Sequence, residues 1–274
     1  MNNFLTRTLT GTLYLLVFVG SILSGPYGFG ILFLAIGFMS LKEFYQMTEN
    51  MGFQPARVMG LITGAVLFVL TFVVFAFGKS FILIDLIVPL IVITIIAELY
   101  LNRPNPLVNI SITLLGLVYV ALPLTLFNHL AFYDNGRYSF EIILGFFILL
   151  WINDSAAYIF GMLFGKHRLF ERISPKKSWE GFAGGTVITL TLAFFLNIWF
   201  DILSQTDWLI IGAIISVAGV YGDLVESMFK RSANIKDSGK ILPGHGGMLD
   251  RIDSVLLSSP LVFTYLLILN LLRQ

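Results

Sequence analysis

Apolar stretches of about 20 residues, enough to cross the hydrocarbon of a bilayer as a helix, recur along the chain between short polar breaks. The pattern predicts nine helices, roughly over 6–24, 27–47, 58–77, 80–100, 107–127, 140–163, 181–200, 208–228 and 252–272. The breaks carry turn chemistry: Gly25-Pro26, Asn50 to Pro55, Asn102-Arg103-Pro104-Asn105-Pro106 and Asp134-Asn135-Gly136. None is long enough for a separate soluble domain. The expected fold is all-α, a single transmembrane domain over 1–274 with no internal repeat. The first stretch has one basic residue, Arg7, and a poor small-residue cleavage site after it, so it reads as a span rather than a cleaved leader.

Composition agrees. Hydrophobic residues make up 57% of the 274 and charged residues 12%, about half the charge of a soluble domain. A water-facing surface cannot be built from this, and neither can a disordered chain. With no cysteine, disulfides, thiolate metal sites and cysteine nucleophiles are excluded. A net charge of +1 gives no hint of nucleic-acid binding.

The placement of charge is more telling. With nine spans, one side of the membrane holds 14 of the 17 Lys and Arg residues, and the other holds only Lys79, Arg137 and Arg273. Basic loops stay in the cytoplasm. The N-terminus is therefore expected inside and the C-terminus outside.

Polar residues gather at the cytoplasmic ends of the later spans. Span 6 carries Asn153 and Asp154, and an acid in a membrane helix marks a functional site by default. The plainer reading is a hydrogen-bonded knot between helices. The next loop reads Ile173-Ser174-Pro175-Lys176-Lys177-Ser178-Trp179-Glu180-Gly181. Its lysines and serines suit phosphate groups at the membrane surface, and Ser178 is placed to cap span 7. The alternative is ordinary positive-inside charge. No Gly-x4-Gly-Lys-Ser/Thr phosphate loop is present.

Span 8 ends with Asp223, Glu226, Ser227 and Lys230 on one helical face. Such a face must look onto protein or a water-filled cavity, and a salt bridge from Lys230 to Asp223 or Glu226 is the bland account of it. The last loop runs from Lys236 to Asp253 and contains Gly239, Gly244, Gly246 and Gly247. Its glycines can bring backbone N–H groups close to an anion. Asp250 and Asp253 are expected at the start of span 9, beside Arg251.

The run Ser227-Met228-Phe229-Lys230-Arg231, then Lys236-Asp237-Ser238-Gly239-Lys240-Ile241-Leu242-Pro243-Gly244-His245-Gly246-Gly247-Met248-Leu249-Asp250-Arg251-Ile252-Asp253, resembles the signature of the phosphatidate cytidylyltransferase family. The segments around Asn153-Asp154 and 174–181 resemble it too, so the chemistry is expected within about 150–255. The resemblance implies a membrane nucleotidyltransferase of phospholipid biosynthesis, with CTP and phosphatidic acid as substrates. It also implies a homodimer in the bilayer of the cytoplasmic membrane. It further implies Mg²⁺, with K⁺ as second metal, held by Asp223 and Asp250. Glu226 and Asp253 are further candidate ligands. Asp154, Lys230 and Arg251 complete the expected catalytic set. Substrate binding falls to Asn153, Ser174, Lys176, Lys177, Ser178, Arg231, Lys236, Lys240, His245, Gly246 and Gly247. Two rival readings are another transferase or kinase of membrane lipid phosphates, and a cation-coupled transporter. The second fits poorly, because transporter sites lie near the midplane.

Overall fold

The computed structural model of the protein describes residues 3–239, 241, 244 and 246–273. The chain is mostly helical. In chain order the helices are α1 (Asn3–Leu23), α2 (Pro26–Asn50), α3 (Arg57–Phe77), α4 (Ile87–Leu101), α5 (Pro106–Ala131), α6 (Glu141–Phe164), α7 (Trp179–Leu196), α8 (Gln205–Ser232) and α9 (Asp253–Arg273). Among the described residues, eight segments are long and apolar enough to cross a membrane: these helices from α2 onward, α4 together with the 3-10 turn Phe81–Leu86 before it. In α1 the apolar part is the shorter Thr8–Leu23. Each helix falls within a few residues of a predicted span. Pro26 and Pro106 occupy first-turn positions, where the missing N–H costs nothing.

Contacts divide the chain into two compact units, 1–138 with 232–252, and 139–231 with 253–274. The second unit thus takes up the chain again at Asp253, the first residue of α9.

In the first unit the centre is aromatic. Phe18, Phe29, Phe33, Phe44, Tyr45 and Phe127 are all fully buried. Ring centroids stand 4.6 Å apart for Phe29 and Phe33, and 4.9 Å for Phe33 and Phe127. Lipid tails are as apolar as Phe, so transfer from solvent contributes little inside a bilayer; close packing contributes instead. Such ring pairs add roughly 0.5–1.5 kcal/mol each. A wide π-turn interrupts α5 at Leu117–Ala121. Pro123 follows it and cannot donate back to Tyr119, which the wide turn accommodates. Polar knots fasten the remaining helices. Asn109 Nδ2 donates to Glu98 Oε1 (2.9 Å), and Asn128 Nδ2 donates to Thr71 Oγ1 (2.7 Å).

In the second unit α6 and α7 lie close together because glycines face the contact. A Cβ on Gly181 would meet the Ala157 carbonyl at 2.6 Å, and one on Gly185 would meet the Asn153 carbonyl at 3.0 Å. Trp208 is fully buried, its indole N–H donating to the Phe200 carbonyl. Asp207 on α8 accepts from Tyr265 (2.7 Å) and Arg273 (2.8 Å) of α9. Among the described residues, the strands that depart from the expected all-helical chain form one hairpin. The basic loop after α6 is an antiparallel hairpin of β1 (Arg168–Phe170) and β2 (Ser174–Ser178), with Phe170 opposite Ser174.

Candidate active site

The carboxylates at the end of α8 and the start of α9 converge. Asp223, Glu226 and Asp253 each offer an oxygen, and the three lie within 4.8 Å of one another. The convergence follows from helix geometry. Asp223 and Glu226 are three residues apart on α8, so they share a face. Gly222 lets α9 approach, because a Cβ there would stand 2.5 Å from the Asp253 carbonyl. Asp154 on α6 is exposed and lies within range of the charges of Lys177 and Asp223.

Two lysines serve this cluster. Lys177 Nζ pairs with Asp223 Oδ2 at 2.5 Å. Lys230 pairs with the fully buried Glu226, one turn away on the same helix. This is the salt bridge the helical spacing allowed, and Glu226 is the partner. Ser227 Oγ donates to the other oxygen of Asp223 (3.0 Å). Four acids facing two lysines leave an excess negative charge when ionised, and a cation would balance it.

Strand alternation sorts the residues of β2. Neighbouring side chains point to opposite faces. Lys177 is half-buried and reaches the carboxylates, whereas Lys176 is exposed. Ser178 Oγ accepts from Gly181 N (3.1 Å), so it caps α7 as expected. Ser174 pairs across the hairpin. Asn153 is 1% exposed, and its Oδ1 accepts from Thr189 Oγ1 at 3.3 Å. That is the knot between helices weighed for it. Arg231 is exposed at the end of α8.

In the other unit the glycine-rich loop ends in the 3-10 turn Leu249–Arg251, so Asp250 sits in that turn rather than on α9. Its Oδ2 accepts from Ser238 N (3.0 Å) and Gly247 N (2.7 Å). Gly246 has φ +82°, a conformation that favours glycine. Arg251 and Lys236 are exposed. Lys240 and His245 lie outside the described residues. The loop's N–H groups do approach an anion, as the glycines suggested, but the anions are the protein's own. Besides Asp250, the loop wraps Glu43 of α2, whose Oε2 accepts from Leu249 N (2.8 Å). Glu43 joins none of the motifs above, although an acid within the predicted span 27–47 is a signal of the same kind as Asp154.

The chain matches the cytidylyltransferase family over residues 5–269. It belongs to that family. Among curated relatives, the phosphatidate cytidylyltransferase of Staphylococcus saprophyticus is 35% identical over 260 residues, 93% of this chain and 96% of the relative. Those of Staphylococcus epidermidis and Staphylococcus aureus are each 34% identical over the same shares. The similarity therefore spans both compact units, well beyond the 150–255 motif region.

Proposed function

We propose that the protein transfers the cytidylyl group of CTP to phosphatidic acid, giving CDP-diacylglycerol and pyrophosphate. The observation that carries this is the cluster of Asp223, Glu226 and Asp253 with Lys177 and Lys230, in a chain of this family. The name shared by its relatives supports the choice of lipid substrate.

The reaction brings two anions together. A phosphatidate oxygen attacks the α-phosphorus of CTP, a P–O bond forms, and the bond to pyrophosphate breaks with the electron pair leaving on oxygen. A phosphomonoester has its second pKa near about 6, so the nucleophile is largely ionised at neutral pH and no strong general base is required. The difficulty is electrostatic. Asp223, Glu226 and Asp253 fit a divalent ion, because Mg²⁺ prefers a few carboxylates together with water and substrate oxygens. When bound, Mg²⁺ supplies charge neutralisation for the phosphates. Lys177 and Lys230 hold the carboxylates in place and present positive charge to the same region. The resemblance adds Asp250 as a ligand, K⁺ as a second ion and a homodimer, and these belong to the proposal too. Assaying the purified chain with CTP, phosphatidate and Mg²⁺ should release pyrophosphate and label the lipid from CTP. Release without phosphatidate, or use of another nucleotide instead, would overturn the reading.

The proposed topology has nine spans in the cytoplasmic membrane, the N-terminus inside and the site on the cytoplasmic face. It is motivated by the distribution of Lys and Arg. Single cysteines at Ser174 and Ser232 should resist an impermeant thiol reagent in intact cells and react after lysis. The chain has no native Cys, so the background is clean. Labelling of both from outside would reverse the orientation.

A further inference from the structure

Glu43 belongs to no motif described so far. It lies on α2, about 10 Å before the helix ends at 1.5 Å per residue, and is 3% exposed. A carboxylate in a membrane helix is expensive unless something compensates it. Oε2 accepts from Ser238 Oγ (3.1 Å) and from Leu249 N (2.8 Å). Oε1 is buried and, among the described residues, has no hydrogen-bond partner.

The loop is shaped to this side chain. A Cβ on Gly239 would stand 2.3 Å from Oε1, and one on Gly247 would stand 2.4 Å from Oε2. Neither residue is among those with positive φ. Their need for glycine therefore comes from close neighbours, Glu43 for both and also Ser238 Oγ (2.3 Å) for Gly247, not from backbone conformation. The same two stretches serve Asp250: the amides of Ser238 and Gly247 both donate to its Oδ2. Ser238 thus binds one carboxylate through its hydroxyl and the other through its amide.

We propose that Glu43 is a positioning residue: the loop folds around it, and through Ser238 and Gly247 it fixes the carboxylate of Asp250. The consequence for turnover rests on the cytidylyltransferase reading; the consequence for the loop does not.

The test uses the full chain purified in detergent, with Glu43→Gln as the main variant. Gln keeps the volume but exchanges one acceptor oxygen for a donor. Hydrogen exchange across 236–251, without substrate, should speed up about tenfold or more while the helices elsewhere keep their protection. The kcat should fall about tenfold or more, with a smaller change in the KM for CTP, because the groups that bind substrate are still present. A purely structural role predicts a lower melting temperature with normal kinetics of the folded fraction. That result, or unchanged loop exchange, would overturn the proposal. If Glu43→Gln does not fold, Gly239→Ala decides. Its Cβ collides with Glu43, so adding Glu43→Asp, which draws the carboxylate back, should restore most of the lost kcat. Additive losses in the pair would count against the inference. A wild-type protein inactive on CTP and phosphatidate would sink the functional reading alone, since the exchange result stands without it.

Discussion

Asp223→Asn and Asp253→Asn are each expected to abolish turnover, with the chain still folded. Both carboxylates belong to the three-acid cluster, and a cation held there would serve them together. Metal stabilisation of a phosphoryl-transfer transition state amounts to several kcal/mol. At about 1.4 kcal/mol per factor of ten, the loss is about a thousandfold or more. Asn keeps the shape and one acceptor oxygen, so the deficit is one of charge. The double variant should be little worse than either single one, because residues acting as a unit are not additive. Glu226→Gln should lose less, since this carboxylate is fully buried against Lys230 of its own helix, whereas Asp223 and Asp253 are half-buried and open to an ion with its water and substrate oxygens. Asp250→Asn tests the ligand role implied by the resemblance and should fall in the abolished class. The measurement is pyrophosphate release against Mg²⁺ concentration. A folded Asp223→Asn or Asp253→Asn enzyme with near-normal rate at ordinary Mg²⁺ would refute the metal assignment.

Much of this was legible in the sequence, for physical reasons. A helix that crosses lipid needs a fixed length of apolar residues, so the breaks at Gly25-Pro26 and 102–106 were easy to place. The polar face of α8 was readable because Asp223, Glu226, Ser227 and Lys230 follow helical spacing. What spacing cannot supply is the partner. Lys177 pairs with Asp223 from a hairpin 46 positions earlier in sequence, a contact that only packing makes. The hairpin itself was missed, because Ser174-Pro175-Lys176-Lys177-Ser178 shows no alternation of apolar and polar residues. Asp250 and Asp253 looked like one helix face at i, i+3. The turn at Leu249–Arg251 breaks that regularity and leaves them in different compact units. Glu43 shows the converse failure. Its signal was present, but it is the lone acid of its span until Glu49, next to Lys42, and its true partners come about 200 residues later.

Lys177→Ala should cost far more than Lys176→Ala, although the two are adjacent. Sequence alone treats them as one basic pair. The strand separates them: Lys177 is turned toward the carboxylates, its Nζ on Asp223 and within 3.4 Å of the Val220 carbonyl, while Lys176 is exposed on the other face. On the proposed reaction, Lys177 is the lysine placed to meet the charge that develops as pyrophosphate departs. Removing one preorganised group of this kind typically costs about 10²- to 10³-fold in kcat. Lys176→Ala should change the rate by less than about threefold, as screened surface charges do. The metal response provides a second check. Losing Lys177 releases Asp223 from its ion pair, so the Mg²⁺ needed for half-maximal activity should stay level or fall, opposite to the Asp223→Asn variant. Equal losses for the two lysines would mean that β2 contributes only a diffuse positive field. A normal rate in Lys177→Ala would leave its pair with Asp223 as a purely structural contact.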